Sequence, residues 1–432
     1  MKHHFVLKLH RQLSDDTNIP DWTTFINDKS VVRESLIPEV DDLFDRLGVK
    51  FWVVKEYKPA GTDWSKEEIQ HGLNRTYRMI LQEDYKLPGN LVDQIKLIPS
   101  VEDARELEVG EVRLPPRAIS TTASIQPRKP GDLVYVPFAR AITRGSPDIQ
   151  IAVIDTGANL DHKELKGKIV KRADFVDLEG LDTSDFIGDI RGYDDVPEDE
   201  VGHGTHVSGI IAGRGLQMDE GVAPECALMT VRVLATMKSG ARLVGAGIVD
   251  NINTGIKWAV DNGADVINMS LGIKHTGGGL PHEDVIRYAL SKNVVVVAAS
   301  GNDGTNERYY PGALPGVIAV GAVDDEGVIT RFTSYGANIT VVAPGMNIYS
   351  SFAHNTYAFA SGTSQASPFV AASVGLMKSY ALERDQRLTN HEVNYILKNT
   401  SDRVDTRLRN EHAGYGLLNL ADAFKLLSNL LN

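Results

Sequence analysis

The chain of 432 residues holds a single cysteine, Cys226, so no disulfide bond can form within it. Cys226 lies in the stretch GVAPECALMTVRVL, which favours a small buried core residue over a nucleophile. The sequence also lacks any apolar run approaching the ~20 residues that span a bilayer. We therefore expect neither disulfide stabilisation nor a membrane partner.

Positive charge is in deficit, since 45 Lys and Arg stand against 57 Asp and Glu, giving a formal net charge of -12. Nucleic-acid binding draws its affinity from clustered Lys and Arg, so nucleic acid is excluded as an expected partner. The N-terminus, MKHHFVLKLHRQLSDD, has only a short apolar patch, against the ~7 to 15 apolar residues of a signal peptide. The sequence thus predicts a cytoplasmic protein, with secretion left open if a native leader is missing from the start.

The remaining composition is ordinary for a globular protein. Hydrophobic residues make up 42% and charged residues 24%, which allows a sizeable core. The length predicts one large domain with a smaller one.

The first 116 residues show a mixed α+β pattern. FVLKL and VKFWVVKEY are typical of strands, whereas IPEVDDLFDRLG and NLVDQIKLI have helical spacing. The next stretch, PPRAISTTASIQPRKPGD, contains four prolines and almost nothing to bury, so it is the best linker candidate. We predict a small domain over 1–116, a linker over 117–133 and a large domain over 134–432.

Apolar runs alternate with helical segments after the linker. Their continuous hydrophobicity predicts parallel strands buried on both faces, with helices as crossovers, and so an α/β fold. In such sheets, functional sites gather at the carboxyl ends of the strands. The runs are IQIAVIDTG, ALMTVRVL, ADVINMSLG, NVVVVAASGN, VIAVGAV and ITVVAPG.

Three polar residues lie where predicted elements begin or end. Asp155 follows an apolar strand, His203 opens a helix in VGHGTHVSGIIAG, and Ser364 opens a helix with Pro368 in its first turn. A serine hydroxyl needs a base to remove its proton, and a histidine base needs a carboxylate to hold its tautomer. The chain offers one candidate for each of these roles.

The stretch YAFASGTSQASPFVAASVGLM offers four serines, at positions 361, 364, 367 and 373. Ser364 is preferred because the free N–H groups and the dipole of a helix start stabilise a developing oxyanion. Asn302 follows another apolar strand, where its side-chain amide can join this oxyanion site. The pair His203 and His206 is not the HExxH arrangement of a zinc site, so no metal ligation is predicted there.

These segments resemble those of the subtilisin-like serine proteases, with DTG, GHGTHVSG, NMSLG, SGN and GTSQASP in that family's order. The similarity covers about two thirds of the chain, ending at GYGLLNLADAFK. It implies a three-layer αβα fold around a mostly parallel sheet. It also implies Asp155, His203 and Ser364 as the catalytic triad, with Asn302 in the oxyanion hole.

The resemblance further implies a propeptide before the catalytic domain. We expect residues 1–116 to form a small ferredoxin-like α+β prodomain that acts as a folding chaperone and intramolecular inhibitor, with processing in the proline-rich linker. Substrate is expected along two segments of the catalytic domain: Ser270, Leu271, Gly272, Ser300 and Gly301. After NMSLG, Ile273 stands where the family commonly has a second glycine.

The segment 174–200 carries eleven acidic residues and one basic residue, Arg191. Three interpretations stay open: a solvated face, calcium binding through carboxylate oxygens, or recognition of basic residues in a substrate. Structural calcium is common in the resembled family, but GRGLQMDEGVAP is shorter than that family's usual calcium loop. In addition, Glu164 stands where an aspartate ligand is frequent. The chemistry itself requires no cofactor.

The sequence therefore predicts a serine endopeptidase made as a zymogen, acting on protein or peptide substrates through an acyl-enzyme. Two alternatives remain. One is a dedicated processing protease for a single peptide or partner, and the other is a non-catalytic regulatory protein on a protease scaffold.

Overall fold

The computed structural model describes residues 4–27, 33–111, 119–120, 129–178, 182–240, 242–274 and 280–431. Their helices are α1 Trp22–Asn27, α2 Pro38–Arg46, α3 Lys66–Gln70, α4 Leu91–Lys96, α5 Pro130–Leu133, α6 Val136–Ile142, α7 His203–Ala212, α8 Val249–Asp261, α9 Glu283–Ser291, α10 Thr363–Leu382, α11 Asn390–Thr400 and α12 Leu420–Leu430. Short 3₁₀ turns cover Asp16–Asn18, Leu73–Arg75 and Ala353–Asn355.

The strands are β1 His4–Leu9, β2 Phe51–Lys55, β3 Thr76–Leu81, β4 Val101–Glu106, β5 Val109–Glu111, β6 Ile119–Ser120, β7 Gln150–Asp155, β8 Ile169–Asp174, β9 Phe186–Ile187, β10 Ala227–Arg232, β11 Ala235–Ser239, β12 Arg242–Ile248, β13 Val266–Met269, β14 Ile273–Lys274, β15 Val295–Ala299, β16 Tyr309–Tyr310, β17 Ile318–Val323, β18 Ile339–Pro344, β19 Ile348–Phe352 and β20 Thr356–Ala360.

A seven-stranded parallel sheet forms the centre of the larger part of the chain, in the order β18-β17-β15-β13-β7-β10-β8. Successive residues of a strand face opposite sides of a sheet. Accordingly, Ile151 and Val153 of β7 pack in the core shared with α7 and α10. Ala152 and Ile154 pack in the core shared with α8 and α9. Helices thus cover both faces, which confirms the predicted three-layer αβα fold with its parallel sheet.

The N-terminal residues fold around a separate antiparallel sheet of order β2-β3-β1-β4. Helices α1 and α2 follow β1, and α4 follows β3. Apart from the short α3 between β2 and β3, this is the β-α-β-β-α-β order of a ferredoxin-like unit. Its core is built mainly from residues of this unit, among them Phe5, Phe44, Phe51 and Met79. The α+β pattern read from the sequence is therefore present here, and we call residues 4–106 the N-terminal unit.

The N-terminal unit packs against α8 through buried polar contacts. Arg78 donates two hydrogen bonds to Glu56, at 2.8 and 2.9 Å, and one to Asn251 of α8 at 3.0 Å. The Arg78 guanidinium also lies over the ring of Trp22, whose indole N–H donates to Thr254 of α8 at 2.9 Å. Because groups desolvated in this way are stable only when paired, the contacts fix how the unit sits on α8.

A second cluster of charges lies in the same interface. Asp250 at the start of α8 is fully buried, and it pairs with Arg105 and with His4, the latter at 3.1 Å. Lys257 of α8 donates to Glu68 of the N-terminal unit at 2.7 Å. The interface is therefore held at both ends of α8.

Two short strands beyond the N-terminal unit pair with edges of the larger part of the chain. β5 pairs antiparallel with β12, with Gly110 opposite Gly247. β6 pairs antiparallel with β20, with Ile119 opposite Ala360. Most of the predicted linker 117–133 lies outside the described residues. In the parts of the chain that are described, no helix combines the length and apolar character needed to cross a bilayer.

Candidate active site

The first element of the site is a hydrogen bond between an acid and a histidine. Asp155 is the last residue of the central strand β7, and His203 is the first residue of α7. His203 Nδ1–H donates to Asp155 Oδ1 at 2.7 Å, with the two residues 3% and 0% exposed. The structure therefore brings together two of the three residues that the sequence places in the triad.

A glycine allows this close approach. A methyl group on the Cα of Gly204 would lie 2.2 Å from the carbonyl oxygen of Gly157. The N–H of Gly204 donates to Thr156 Oγ1 at 2.9 Å, which ties the first turn of α7 to the residue that follows Asp155. Any side chain at position 204 would push α7 away from the end of β7.

Asp199 supports the histidine helix, a role that our sequence analysis missed. Its carboxylate is buried and accepts hydrogen bonds from the N–H groups of Gly202 and Thr205, at 2.8 Å each. It also accepts from Thr156 Oγ1 at 2.9 Å. Asp199 thus satisfies free donors at the start of α7 as a capping residue does. An Asp shortly before a predicted helix is the signal that could have identified it.

The electrostatic environment raises the pKa of His203 above its usual 6.5. Burial lowers the pKa, but the charge and hydrogen bond of Asp155 outweigh it, and the charge of Asp199 adds to the rise. The imidazolium form is thus stabilised, as a general base requires when it accepts a proton.

Ser364 lies in the first turn of α10, which packs against α7. Its hydroxyl donates to the carbonyl oxygen of Ser270 at 3.0 Å, while Ser270 Oγ donates to the carbonyl oxygen of Ser364 at 2.8 Å. His203 Nε2 is buried and has no hydrogen-bond partner among the described residues. The third predicted residue is therefore at the start of the neighbouring helix. Its hydroxyl is hydrogen-bonded to the carbonyl oxygen of Ser270 rather than to the histidine.

The other candidate serines have local structural contacts. Ser367 Oγ shares a hydrogen bond with Ser270 Oγ at 2.9 Å, and Ser373 Oγ donates to Phe369 O at 2.7 Å. Ser361 Oγ accepts the N–H of Asn347 at 2.9 Å. Ser364 stays the candidate nucleophile because it lies in the first turn of α10, directly after the residue that binds Asn302.

Asn302 lies beside the start of α10. Its Oδ1 accepts the N–H of Thr363 at 2.8 Å and the hydroxyl of Thr363 at 3.0 Å. The oxygen end of the amide is thus held by the residue before Ser364, and the Nδ2 end is the donor group of this side chain. The structure thus brings Asn302 next to Ser364.

The predicted substrate-binding residues lie in two segments, each of which follows a strand of the central sheet. Ser270, Leu271 and Gly272 follow β13, and Ser300 and Gly301 follow β15, the neighbouring parallel strand. Binding of substrate along these two segments stays a prediction.

His206 does not belong to the acid-base pair. Its Nε2–H points to the carbonyl oxygens of Ile348 at 3.0 Å and Ala358 at 3.1 Å. Burial lowers the pKa of His206 to about 4, so the ring stays neutral. His206 therefore connects α7 with β19 and β20. Cys226 is buried in the core, as expected, and burial raises its pKa to about 11.

Several carboxylates of the acidic segment are buried or hydrogen-bonded. Asp174 pairs with Arg232 at 2.6 Å, and burial raises the Asp174 pKa to about 6 despite this partner. Glu198 accepts from Asn159 at 2.6 Å. Together with Asp199, these contacts show that part of the segment is built into the fold. Recognition of basic substrates by the rest stays a prediction.

Glu164, at the position suggested for a metal ligand, is surrounded by donors. Its buried carboxylate accepts the N–H groups of Leu216 at 3.0 Å and Gln217 at 2.8 Å, and the hydroxyl of Tyr357 at 3.1 Å. Calcium prefers a shell of oxygen ligands. Among the described residues, no group of three or more His, Cys, Asp or Glu side chains could hold a metal ion. These donors do not fit calcium at Glu164, and calcium elsewhere in the acidic segment stays a prediction.

We expect Glu164→Gln to lower the free energy of unfolding by about 2 kcal/mol, because the amide would present donors to N–H groups that need an acceptor. The loss should be equal in EDTA and in calcium, measured by denaturant unfolding. Stabilisation of both forms by calcium to the same extent would mean that calcium binds elsewhere in the protein. That result would support calcium binding by the acidic segment 174–200. Stabilisation by calcium of the wild-type chain alone would contradict this account of Glu164.

Comparison with known proteins shows the family to which this chain belongs. The family model described as the subtilase family matches residues 146–416. The thermophilic serine proteinase of Bacillus sp. (strain AK1) is 38% identical over 273 residues, which cover 62% of this chain and 60% of that protein. Thermitase of Thermoactinomyces vulgaris is 35% identical, covering 63% of this chain and 87% of thermitase. The major intracellular serine protease of Bacillus subtilis (strain 168) is 34% identical over 307 residues, 69% of this chain and 86% of that protein.

A solved protease structure is also similar to this chain. The prenylagaramide maturation protease PagA is 28% identical to this chain, with a TM-score of 0.56. The match covers 68% of this chain and 98% of PagA.

Proposed function

Because the chain belongs to the subtilase family of serine endopeptidases, we propose that Ser364 is its nucleophile, His203 its general base and Asp155 the carboxylate that orients the base. The observation that carries this assignment is the buried 2.7 Å bond between His203 Nδ1 and Asp155 Oδ1. This bond holds the single N–H proton of the neutral ring on Nδ1 and leaves Nε2 as the basic atom.

In the proposed first step, the Ser364 hydroxyl exchanges its hydrogen bond to the carbonyl oxygen of Ser270 for one to Nε2 of His203. Ser364 Oγ attacks the peptide carbonyl carbon while its proton passes to Nε2. His203 then donates this proton to the leaving amine as the C–N bond breaks. Water, activated by the same imidazole, hydrolyses the acyl-enzyme ester and regenerates Ser364.

Asn302 and the backbone N–H of Ser364 are the proposed donors to the oxyanion of the tetrahedral intermediate. The contacts of Asn302 Oδ1 with Thr363 support this role, since they hold the amide in place before charge develops. We expect Asn302→Ala to lower kcat by roughly 10²- to 10³-fold with little change in KM, as for loss of one oxyanion donor. The control is Asn306→Ala, at an exposed amide in the same loop, and an equal loss there would contradict the role.

We also propose that the N-terminal unit is the inhibitory prodomain of a zymogen. Arg78 and Arg105 of the unit bind Asn251 and Asp250 of α8, and these contacts support a tightly held unit. The strand pairings after the unit support its occupation of the proposed substrate-binding region. β5 already pairs with β12, and a methyl group on Gly110 would lie 2.7 Å from Ile273 Cδ1, next to the predicted substrate segment.

The other pairing lies close to the nucleophile in the sequence. Ile119 pairs with Ala360, four residues before Ser364. The predicted boundary near residue 116 falls in the sequence between β5 and β6, within residues 112–118, which lie outside the described part of the chain. Processing within the proline-rich linker by the chain's own Ser364 is the proposed activation step.

The function is tested by labelling with a small fluorophosphonate, which reacts with activated serines. We expect the adduct on Ser364, located by peptide mass spectrometry, and no labelling of Ser364→Ala. Ser361→Ala is the matched control and should be labelled like the wild type. Absence of an adduct from both the full-length chain and its processed form would favour the non-catalytic regulatory alternative.

One comparison favours a dedicated processing protease as the second candidate. PagA, to which the chain is similar, is described as a maturation protease. Hydrolysis of unfolded casein would support a general endopeptidase. Cleavage of one cognate peptide only would support the processing enzyme. Similarity to the major intracellular serine protease of Bacillus subtilis supports the proposal that this chain acts inside the cell.

A further inference from the structure

The space beside Ser364 is bounded by the segments that follow two neighbouring strands. Ser270 at the end of β13 accepts the Ser364 hydroxyl on its carbonyl oxygen. Gly301 after β15 donates its N–H to Thr363 Oγ1 at 3.3 Å. The segments 270–272 and 300–302 therefore form two walls that meet at the nucleophile. On the proposed function, a substrate residue whose carbonyl reaches Ser364 places its side chain between these walls.

The ring of Tyr309 already lies between the walls. A methyl group on the Cα of Gly301 would lie 2.4 Å from Cδ2 of Tyr309. On the opposite wall, a methyl group on Gly272 would lie 3.1 Å from Cβ and 3.3 Å from Cδ1 of the same residue. Tyr309 is only 5% exposed. One aromatic side chain thus packs against the two glycines and fills the gap between them.

Several contacts hold Tyr309 in this position. Its backbone is in β16, which pairs antiparallel with β14 so that Tyr309 lies opposite Lys274. The Tyr309 hydroxyl donates to Asp303, and Lys274 Nζ binds the same carboxylate at 2.7 Å. The Lys274 ammonium also lies 5.5 Å from the centre of the Tyr309 ring. Removing the ring from the gap would therefore break a strand pair or a hydrogen bond to a carboxylate.

We infer that Tyr309 is the specificity-determining residue of this protease and restricts cleavage to bonds that follow Gly, Ala or Ser. The inference rests on the proposed function of Ser364. Protein interiors are close-packed, so a gap that holds one aromatic ring does not accept a second. A side chain no larger than a methyl or hydroxymethyl group needs little of the space that Tyr309 fills.

The first test needs no variant. Fluorogenic peptides that differ only in the residue before the cleaved bond, Ala, Leu or Phe, are compared by kcat/KM. The enzyme is the purified protein after its own N-terminal processing. We expect a preference of roughly 100-fold or more for Ala over Phe. Equal cleavage after Ala and Phe, or a preference for Phe, would overturn the inference.

The second test assigns the preference to the ring. Tyr309→Gly should reverse the order, with kcat/KM for the Phe peptide rising roughly 100-fold relative to that for the Ala peptide. Tyr309→Phe is the matched control, since it keeps the ring and removes only the hydroxyl, and it should keep the preference for Ala. A Tyr309→Gly protein that folds and still prefers Ala would assign the selectivity to other residues and contradict the inference.

The two hypotheses fail in different ways. If Ser364 does not react with the fluorophosphonate and no peptide of the series is cleaved, the proposed function fails. If Ser364 reacts and the peptide with Phe is cleaved best, only the role of Tyr309 fails.

Discussion

Ser364→Ala is expected to remove both peptidase activity and self-processing. Without the nucleophile, kcat on an unfolded protein substrate should fall by about 10⁴- to 10⁶-fold, leaving only what substrate binding and the oxyanion donors contribute. The purified variant should also stay at its full 432 residues, whereas the wild-type chain should lose roughly its first 116. N-terminal sequencing and intact mass spectrometry of both proteins measure this difference.

Two further samples separate chemistry from folding. Ser367→Ala changes another serine of the same helix, one that also contacts Ser270, and should be processed like the wild type. Wild-type protein added to Ser364→Ala tests whether the uncut variant is still a substrate. Equal processing of wild type and Ser364→Ala in isolation would show that cleavage comes from another protease, and the self-activation proposal would then be wrong.

The parallel sheet was largely predictable because its strands are buried on both faces. Six of its seven strands appear in the sequence as continuous apolar runs bounded by turns. The seventh, β8, was missed. It is an edge strand with the sequence IVKRAD, and the side chains of Val170 and Arg172 are exposed to solvent. An apolar run therefore has no reason to form there.

In the N-terminal unit, one of the missed strands is β3, which lies in the middle of its sheet. Arg78 in the middle of TYRMIL interrupts the apolar pattern. The residues that make burial of its charge tolerable, Glu56 and Asn251, lie 22 and 173 positions away. Such pairing is a property of the folded chain, so local sequence cannot predict it.

In the candidate site, too, some residues could be predicted from the sequence and others could not. Asp155, His203 and Ser364 could be predicted because each stands at the end or start of an element and their chemistries complement one another. Asp199 was counted with ten other acidic residues of its segment. Composition does not distinguish the one carboxylate that Thr156, Gly202 and Thr205 surround from its exposed neighbours. Its role depends on how the segment folds over α7.

Asp155→Asn is expected to lower kcat by about 10⁴-fold while leaving the fold intact. The amide of Asn donates a hydrogen bond to Nδ1 of His203 where the carboxylate accepts one. The neutral imidazole then carries its proton on Nε2, the atom that must accept the proton of Ser364. Steady-state kinetics on one peptide substrate measure the loss. Asp182→Asn, the same change at an exposed carboxylate, should have no effect.

The pH dependence of kcat/KM gives an independent measure of the same interaction. His203 acts as a base only when neutral, so activity is lost as the pH falls through its pKa. Because Asp155 raises this pKa above 6.5, the acidic limb of the wild-type profile should lie above pH 6.5. In Asp155→Asn, burial lowers the pKa without the opposing carboxylate, so the residual activity should extend to lower pH. An acidic limb at the same pH in both proteins would mean that Asp155 does not act through His203.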